Sequence, residues 1–295
     1  MSAVADVIVV IPARNVADVI HEQLQALNGQ VDAPPFDVIV VDNGSSDRTA
    51  AAVGDWKPSG YNLSVISEPR QGINFARNAG IAATAHRWIL VCDADDRVST
   101  GWVKAMSESL TDQSFSGSPI EYRRLNDERT LRLWGKQQAP SAQDHPVGLP
   151  IGCGFGLPRS MWDELGGFDS GLALYGFDET EFFVRALHAG YTLVWATGCE
   201  VAYRLSPSRR VMLRKRYRLG CSVAAYGETP GGRLDPRSET PWMALKIWLH
   251  LLLRGPLALA RDETRDAWIG TFAYRVGRVR GSATLALRRG WRRGD

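Results

Sequence analysis

Four short apolar runs, each stopping abruptly at a polar cluster, constrain this chain more than any other feature. They read VIVVI at 7–11, FDVIVV at 36–41, LSVI at 63–66 and WILVC at 88–92. Runs of this length suit a buried strand and are too short for a helix. The segments between them, 16–28, 48–56 and 72–81, have helical character; in the first, Val16, Val19, Ile20, Leu24 and Leu27 fall on one face. Asp47 or Ser46 is placed to cap the second helix. Strands alternating with helices imply a mostly parallel, doubly wound sheet covered on both faces.

In such a sheet the carboxyl ends of the strands share one edge, where open α/β folds place their ligands. Pro12-Ala13-Arg14-Asn15, Asp42-Asn43-Gly44-Ser45 and Asp93-Ala94-Asp95-Asp96 therefore converge on a nucleotide-sized crevice. Neither GxGxxG nor GxxxxGK[ST] occurs, which argues against a dinucleotide or P-loop site. Asp93, Asp95 and Asp96 repel one another unless a cation, solvent or a proton relieves them. Asp93 and Asp95, two apart, point to the same side of an extended chain. Mg²⁺ and Mn²⁺ are held by one or two such carboxylates, with substrate phosphates and water completing the shell. The same residues also suit an acidic turn whose Asp side chains bond their own backbone.

A second acidic cluster, Asp178-Glu179-Thr180-Glu181, opens a helix through 182–187. Acids in a first turn are favourable against the helix dipole without further function. The functional alternative is a carboxylate at the mouth of the crevice acting as general base. Between the clusters, 99–110 is expected to be helical and 115–124 a strand. The polar stretch 126–149, with Trp134 and His145, is expected to be a mobile loop or lid. In Gly152-Cys153-Gly154-Phe155-Gly156 the missing side chains would let a ligand approach the backbone. A short helix at 161–165 ends at Gly166-Gly167-Phe168-Asp169.

Four cysteines without CxxC spacing argue against a zinc site or a disulfide framework and fit a reducing compartment. The five histidines lack metal-ligand spacing. No basic leader precedes the first strand, so no signal peptide is expected. Charge is unevenly spread. Residues 204–295 hold 20 Lys and Arg against 7 Asp and Glu, a net of +13, whereas 1–203 carry a net of −10. An acidic body with a basic tail points to a polyanionic surface as partner. Within that tail, 242–253 is strongly apolar yet too short to span a bilayer, and 264–293 is helical and rich in arginine and aromatics. Together they suit the interface of an anionic membrane. The alternative is a plain helical pair with a solvated basic face. No nucleic-acid module is apparent.

VIVVIPARN (7–15), VIVVDNGSSDRT (38–49), GINFARNAGI (72–81), ILVCDADD (89–96), LGGFD (165–169) and GFDETEFFVRALHAGY (176–191) occur in the order found in family 2 glycosyltransferases. The resemblance covers about 5–205. It implies a GT-A fold: a Rossmann-like, mostly parallel sheet flanked by helices, here with a C-terminal helical extension. It also implies a nucleotide-sugar donor, a divalent metal (Mn²⁺ or Mg²⁺) and inversion at the anomeric carbon. By the same resemblance Asp42, with Asn43 and Gly44, contacts the nucleotide base, and Pro12, Arg14 and Asn15 form the first nucleotide loop. Arg77 lies near the nucleotide and diphosphate. Asp93 and Asp95 match the DxD motif, Asp95 being the direct metal ligand. Glu179 falls in the base position, with Asp178 as the alternative.

This chain departs from the family pattern twice. Its acidic pair is Asp-Glu, one methylene longer at the base, and Tyr203-Arg204 stand where many relatives place a histidine. The expected division is a nucleotide-binding half at 1–98, an acceptor-binding half at 99–203 and a basic amphipathic extension at 204–295. The expected acceptor is a glycan or lipid-linked hydroxyl in cell-envelope polysaccharide synthesis. The expected location is cytoplasmic, peripheral at the inner face of the cell membrane. Two other classes fit parts of the pattern: a nucleotidyltransferase, and a membrane-recruited module that binds sugar nucleotides without reaction.

Overall fold

The computed structural model describes residues 5–135, 148–172, 175–234 and 240–291. Its first stretch runs β1 (Val7–Ala13), α1 (Ile20–Asn28), β2 (Phe36–Asp42), α2 (Thr49–Asp55), β3 (Asn62–Ser67), α3 (Ile73–Ala82) and β4 (Trp88–Cys92). There follow β5 (Arg97–Val98), α4 (Trp102–Glu108), β6 (Ser114–Gly117), β7 (Ile120–Glu121) and α5 (Glu128–Trp134). Next come β8 (Gly154–Pro158), α6 (Arg159–Leu165), α7 (Asp178–His188), β9 (Thr192–Trp195) and β10 (Val201–Ala202). The chain closes on helices α8 (Arg209–Tyr226), α9 (Pro230–Leu234), α10 (Pro241–Ala260) and α11 (Asp262–Trp291). Two compact units divide it: 1–125, 139–173 and 178–204 on one side, 126–138, 174–177 and 205–295 on the other.

In the first unit a seven-stranded sheet is ordered β3-β2-β1-β4-β8-β6-β9. Strands β1 to β4 are parallel, with Val9 opposite Val38 on one side and Leu90 on the other. Every residue of β1 is buried, which is why its sequence is apolar without alternation. Helix α3 lies hard on this sheet: a β-carbon on Gly80 would meet Val10 Cγ1 at 2.5 Å and Val41 Cγ2 at 2.9 Å. Helix α7 is held by aromatics, with Phe183 stacked on Phe115 at 4.7 Å and Phe182 4.5 Å from Phe168. The four parallel strands bring the polar clusters to a common edge, as the alternation of strand and helix requires.

Three local expectations change. The strand anticipated at 115–124 is two strands in two sheets: β6 lies in the large sheet, while β7 joins β5 and β10 in a three-stranded one. Pro119, lacking a backbone donor, stands at the break. The glycines of 152–156 do not leave room for a ligand. Gly154 and Gly156 sit in β8, antiparallel between β4 and β6. A β-carbon on Gly154 would meet Ser118 and Val201 at 2.9 Å, and one on Gly156 would meet Ser116 and Leu90. Finally, part of the expected lid is helix α5, whose first turn is capped by Asp127 accepting the Thr130 N–H at 2.7 Å. The remainder at 136–147, with His145, lies outside the described residues.

The second unit is helical. α8 and α11 cross at glycines: a β-carbon on Gly220 would strike the Tyr274 carbonyl, and one on Gly277 the Tyr217 carbonyl. The apolar stretch expected to stop near 253 continues through Pro256 as α10, 20 residues long.

Candidate active site

The loops after β1 and β2 are laced together. Asn15 adopts a left-handed conformation (φ 54°), which Asn tolerates better than most residues. Its N–H donates to Ser45 Oγ at 3.1 Å and its Oδ1 accepts the Ser46 N–H at 2.8 Å. Asp47 accepts the Ala17 N–H at 3.1 Å and the Thr49 N–H at 3.0 Å, tying the first loop to the start of α2. Asp42 ends β2, half-buried, with Oδ1 accepting the Ser45 N–H at 3.1 Å. Asn43 is buried, and its amide faces inward. Nδ2 donates to the carbonyls of Glu68 (3.0 Å) and Arg70 (2.7 Å), and Oδ1 accepts the Gly72 N–H at 2.9 Å. Its side chain thus braces the loop from β3 to α3, beside Gly44 at φ 67°. Arg14 is exposed, and Pro12 is buried within β1 opposite Val41.

After β4 the chain turns at once, so Asp93 and Asp95 converge through a turn and not along extended backbone. One carboxylate oxygen from each of Asp93, Asp95 and Asp96 lies within 4.8 Å of the others. Asp95 is exposed, Asp93 half-buried and Asp96 buried. Burial, with the charges of Asp93 and Asp95, pushes the Asp96 carboxyl well above the usual carboxylate range. Asp96 Oδ1 accepts the Arg204 N–H at 2.7 Å, and its Oδ2 is buried without a partner. Arg204 clamps the turn: Nε donates to the Asp95 carbonyl at 2.8 Å and Nη2 to Glu22 at 2.7 Å. Of the Tyr203-Arg204 pair that stands where the resemblance leads one to expect a histidine, Arg204 has its guanidinium engaged by backbone and Glu22. Tyr203 packs edge-on against Tyr122 at 5.8 Å. An all-oxygen donor set with an unpartnered buried oxygen fits a hard divalent cation.

The second acidic cluster opens α7. Asp178 and Glu179 are each 7% exposed and flank Arg77, which is 2% exposed. Arg77 Nη1 donates to Asp178 Oδ2 at 2.6 Å and lies 3.7 Å from Glu179 Oε2. Burial opposes the charge on Arg77, and Asp178, Glu179 and Asp93 together outweigh it. Burial, then the charge of Asp178, pushes the Glu179 carboxyl well above its ordinary range, while Arg77 pulls the other way. The side chain of Asp178, within hydrogen-bonding reach of Glu179, adds to the rise. Gly152 makes room for this arrangement: a β-carbon there would collide with Arg77 Nη2 and lie 3.9 Å from Asp93 Oδ1. Arg77 therefore stands between the acid pair and the acidic turn.

The remaining motif residues hold that arrangement in place. Asn78 donates to the Phe168 carbonyl at 2.7 Å and accepts the Phe168 N–H at 3.0 Å, while Asn74 donates to the Asp169 carbonyl at 2.9 Å. Glu181 pairs with Arg185 one turn along α7, and Arg185 donates to the carbonyls of Leu165 (2.7 Å) and Gly167 (2.9 Å). Both ends of the Gly-Gly-Phe-Asp turn are thus fastened, one to α3 and the other to α7. The sequence pattern did not single out Asp96 as a cation ligand, Gly152 as clearance for Arg77, or Arg204 with Glu22 as a clamp. Asp96 could have been read from its own acidic run; the others depend on partners remote in sequence.

The family described as Glycosyl transferase family 2 matches residues 8–166. The Haloferax volcanii glycosyltransferase AglE is 26% identical over 281 residues, 91% of this chain and 88% of that one. Among solved structures, the mannosyltransferase PcManGT from Pyrobaculum calidifontis, in complex with GDP-Man and Mn²⁺, is similar with a TM-score of 0.61. That likeness covers 94% of this chain and 88% of that one at 18% identity. S. aureus TarS 1-349 in complex with UDP-GlcNAc is similar over 98% of this chain and 92% of that one, with a TM-score of 0.54 and 16% identity. At such identities the solved structures speak for the fold alone. The matched segment spans the nucleotide-edge loops, the acidic turn and Arg77, and with it the chain belongs to glycosyl transferase family 2, as a glycosyl-transferring enzyme of GT-A fold.

Proposed function

We propose that this protein is an inverting, divalent-metal-dependent glycosyltransferase. It moves a sugar from a nucleotide-sugar donor to a hydroxyl of a glycan or lipid-linked acceptor in cell-envelope polysaccharide synthesis. It works in the cytoplasm, peripheral at the inner face of the cell membrane. The observation that carries the reading is Arg77, bonded to the acid pair of α7, its charge favoured by Asp93 as well, with Gly152 lying bare against both Arg77 Nη2 and Asp93 Oδ1.

In this reading Asp42, Gly44, Arg14 and Asn15 face the nucleotide, while Pro12 and Asn43 shape the loops that present them. Relatives in complex with GDP-Man and UDP-GlcNAc support a donor of that class. Asp95 and Asp93, with Asp96, would hold Mn²⁺ or Mg²⁺. When bound, the cation supplies charge neutralisation for the departing diphosphate. Glu179 takes the proton of the acceptor hydroxyl as that oxygen attacks from the side opposite the leaving group, which inverts the anomeric centre. Arg77 fixes Asp178 beside it, and Asp178 is the alternative base. The raised Glu179 carboxyl suits a base that must hold a proton after taking one. Much of the remaining rate comes from holding donor and acceptor in line.

Release of nucleoside diphosphate from a panel of UDP- and GDP-sugars, with Mn²⁺ or with EDTA, tests the proposal. The expected result is metal-dependent release from one nucleotide class. Pyrophosphate release from a nucleoside triphosphate would instead mark a nucleotidyltransferase.

A further inference from the structure

Helix α10 presents an apolar face that the second unit leaves open. Successive residues of a helix turn by about 100°, so Ile247, Trp248, Leu251 and Gly255 form one stripe. That stripe meets α11: Trp268 Nε1 donates to the Leu251 carbonyl at 3.0 Å, Trp248 lies edge-on to Phe272 at 6.0 Å, and Gly255 accommodates the Trp268 ring. The opposite stripe holds Trp242, Leu245, Leu249, Leu252, Leu253 and Leu257. Of these, Leu253 is 78%, Leu252 68% and Leu257 64% exposed. Lys246, His250 and Arg254 follow one another at every turn along one border of that stripe, all exposed, and α10 contains no acidic residue.

Length does not decide what covers this face. Twenty residues span about 30 Å, the thickness of bilayer hydrocarbon, and 242–260 is apolar enough to cross. Charge placement decides. A crossing helix would carry Lys246, His250 and Arg254 inside the hydrocarbon, which is costly. A helix lying flat keeps all three at the headgroups while the leucines enter the acyl boundary. A second copy would bring a like-charged segment, since 204–295 carry a net of +13. An anionic bilayer is complementary to it.

We infer that α10 lies flat in the headgroup–acyl boundary of an anionic bilayer, with Leu249 and Leu253 embedded and the Lys246–His250–Arg254 row at the phosphates. This rests on the membrane part of the proposed function and adds the anchoring element and its orientation. The test uses the full chain in vesicle flotation, with phosphatidylcholine alone or mixed with phosphatidylglycerol. Wild-type protein is expected to float with the anionic vesicles. The double variant Leu249→Ser/Leu253→Ser should bind them about tenfold or more weakly, and Lys246→Glu/Arg254→Glu should lose the preference for anionic lipid. Alkaline carbonate should release the wild-type protein from cell membranes.

No flotation at low salt, flotation of both variants equal to that of wild type, or carbonate-resistant insertion would each overturn the inference. So would a leucine variant that turns a dimer into a monomer without any vesicle binding by wild type. Both variants should keep wild-type far-UV circular dichroism and wild-type nucleoside diphosphate release in vesicle-free solution. Loss of that release in wild type would count against the proposed reaction and leave the vesicle result standing.

Discussion

The two acidic clusters of the first unit are built on opposite principles. Asp178 and Glu179 are buried against a buried arginine, and their countercharge is part of the fold. Asp93, Asp95 and Asp96 crowd together at a turn clamped by Arg204, whose guanidinium is engaged by Glu22 and the Asp95 carbonyl. A cluster neutralised from within can hold and exchange a proton. The acidic turn, which shares the field of Arg77 at Asp93 and whose Arg204 guanidinium is engaged by Glu22 and the Asp95 carbonyl, is suited to a cation and phosphates from outside. The motif pattern marks both as acidic; only the position of the arginines separates them.

That contrast breaks most visibly at Glu179. Glu179→Gln should lower turnover about a thousandfold, within the range typical for removing a general base. In wild type the rate should climb with pH through a pKa above the ordinary carboxylate range, because burial and Asp178 raise Glu179 and the base acts only when deprotonated. A rate independent of pH from 5 to 9, measured by nucleoside diphosphate release, would remove Glu179 and Asp178 from the role.

Arg77→Met should cost about 3–5 kcal/mol of stability near neutral pH, since it leaves two buried carboxyls without their countercharge. Without Arg77 the Glu179 carboxyl, already raised by burial and Asp178, rises further above its unfolded value. The folded state then binds more protons, and the deficit deepens as pH rises and shrinks as it falls. Urea unfolding at two pH values reads both the size and the sign.

For the outward cluster, Mn²⁺ should raise the melting temperature of wild type, by mass action worth about 2.7 kcal/mol at a hundredfold excess over Kd. Asp95→Ala and Asp96→Asn should each abolish most of that rise while leaving the metal-free melting temperature within a few degrees. The smallest effect sharpens the comparison at its boundary. Gly152→Ala should push Arg77 off its position and cost about 1–3 kcal/mol, with turnover falling more than donor affinity.

The parallel half of the sheet was legible because each central strand is buried on both faces, so β1, β4 and the stretch of β2 from Val38 to Val41 appear as apolar runs. The shared edge of the polar clusters at their tips was legible for the same reason, since topology alone carries Asn15, Asp42 and Asp93 to it. The glycines of β8 were misread because what fills their space comes from Ser118, Val201 and Leu90, none of them local. The resemblance places Arg77 near the nucleotide and diphosphate but gives no sign of its bonded partner Asp178, 101 residues away. The span of α10 was underestimated because Arg254-Gly255-Pro256 has the composition of a helix stop. In the fold Gly255 lets Trp268 close on the helix, and the helix continues to Ala260.

The division of labour between the two acid clusters is tested most directly by calorimetric titration of UDP and GDP, with Mn²⁺ and with EDTA, into wild type, Asp95→Ala and Glu179→Gln. The expected result is that one nucleotide binds wild type and Glu179→Gln with the same Mn²⁺-dependent affinity, while Asp95→Ala loses about tenfold to a hundredfold. Equal affinity in EDTA and Mn²⁺, or a loss at Glu179 as large as at Asp95, would contradict it.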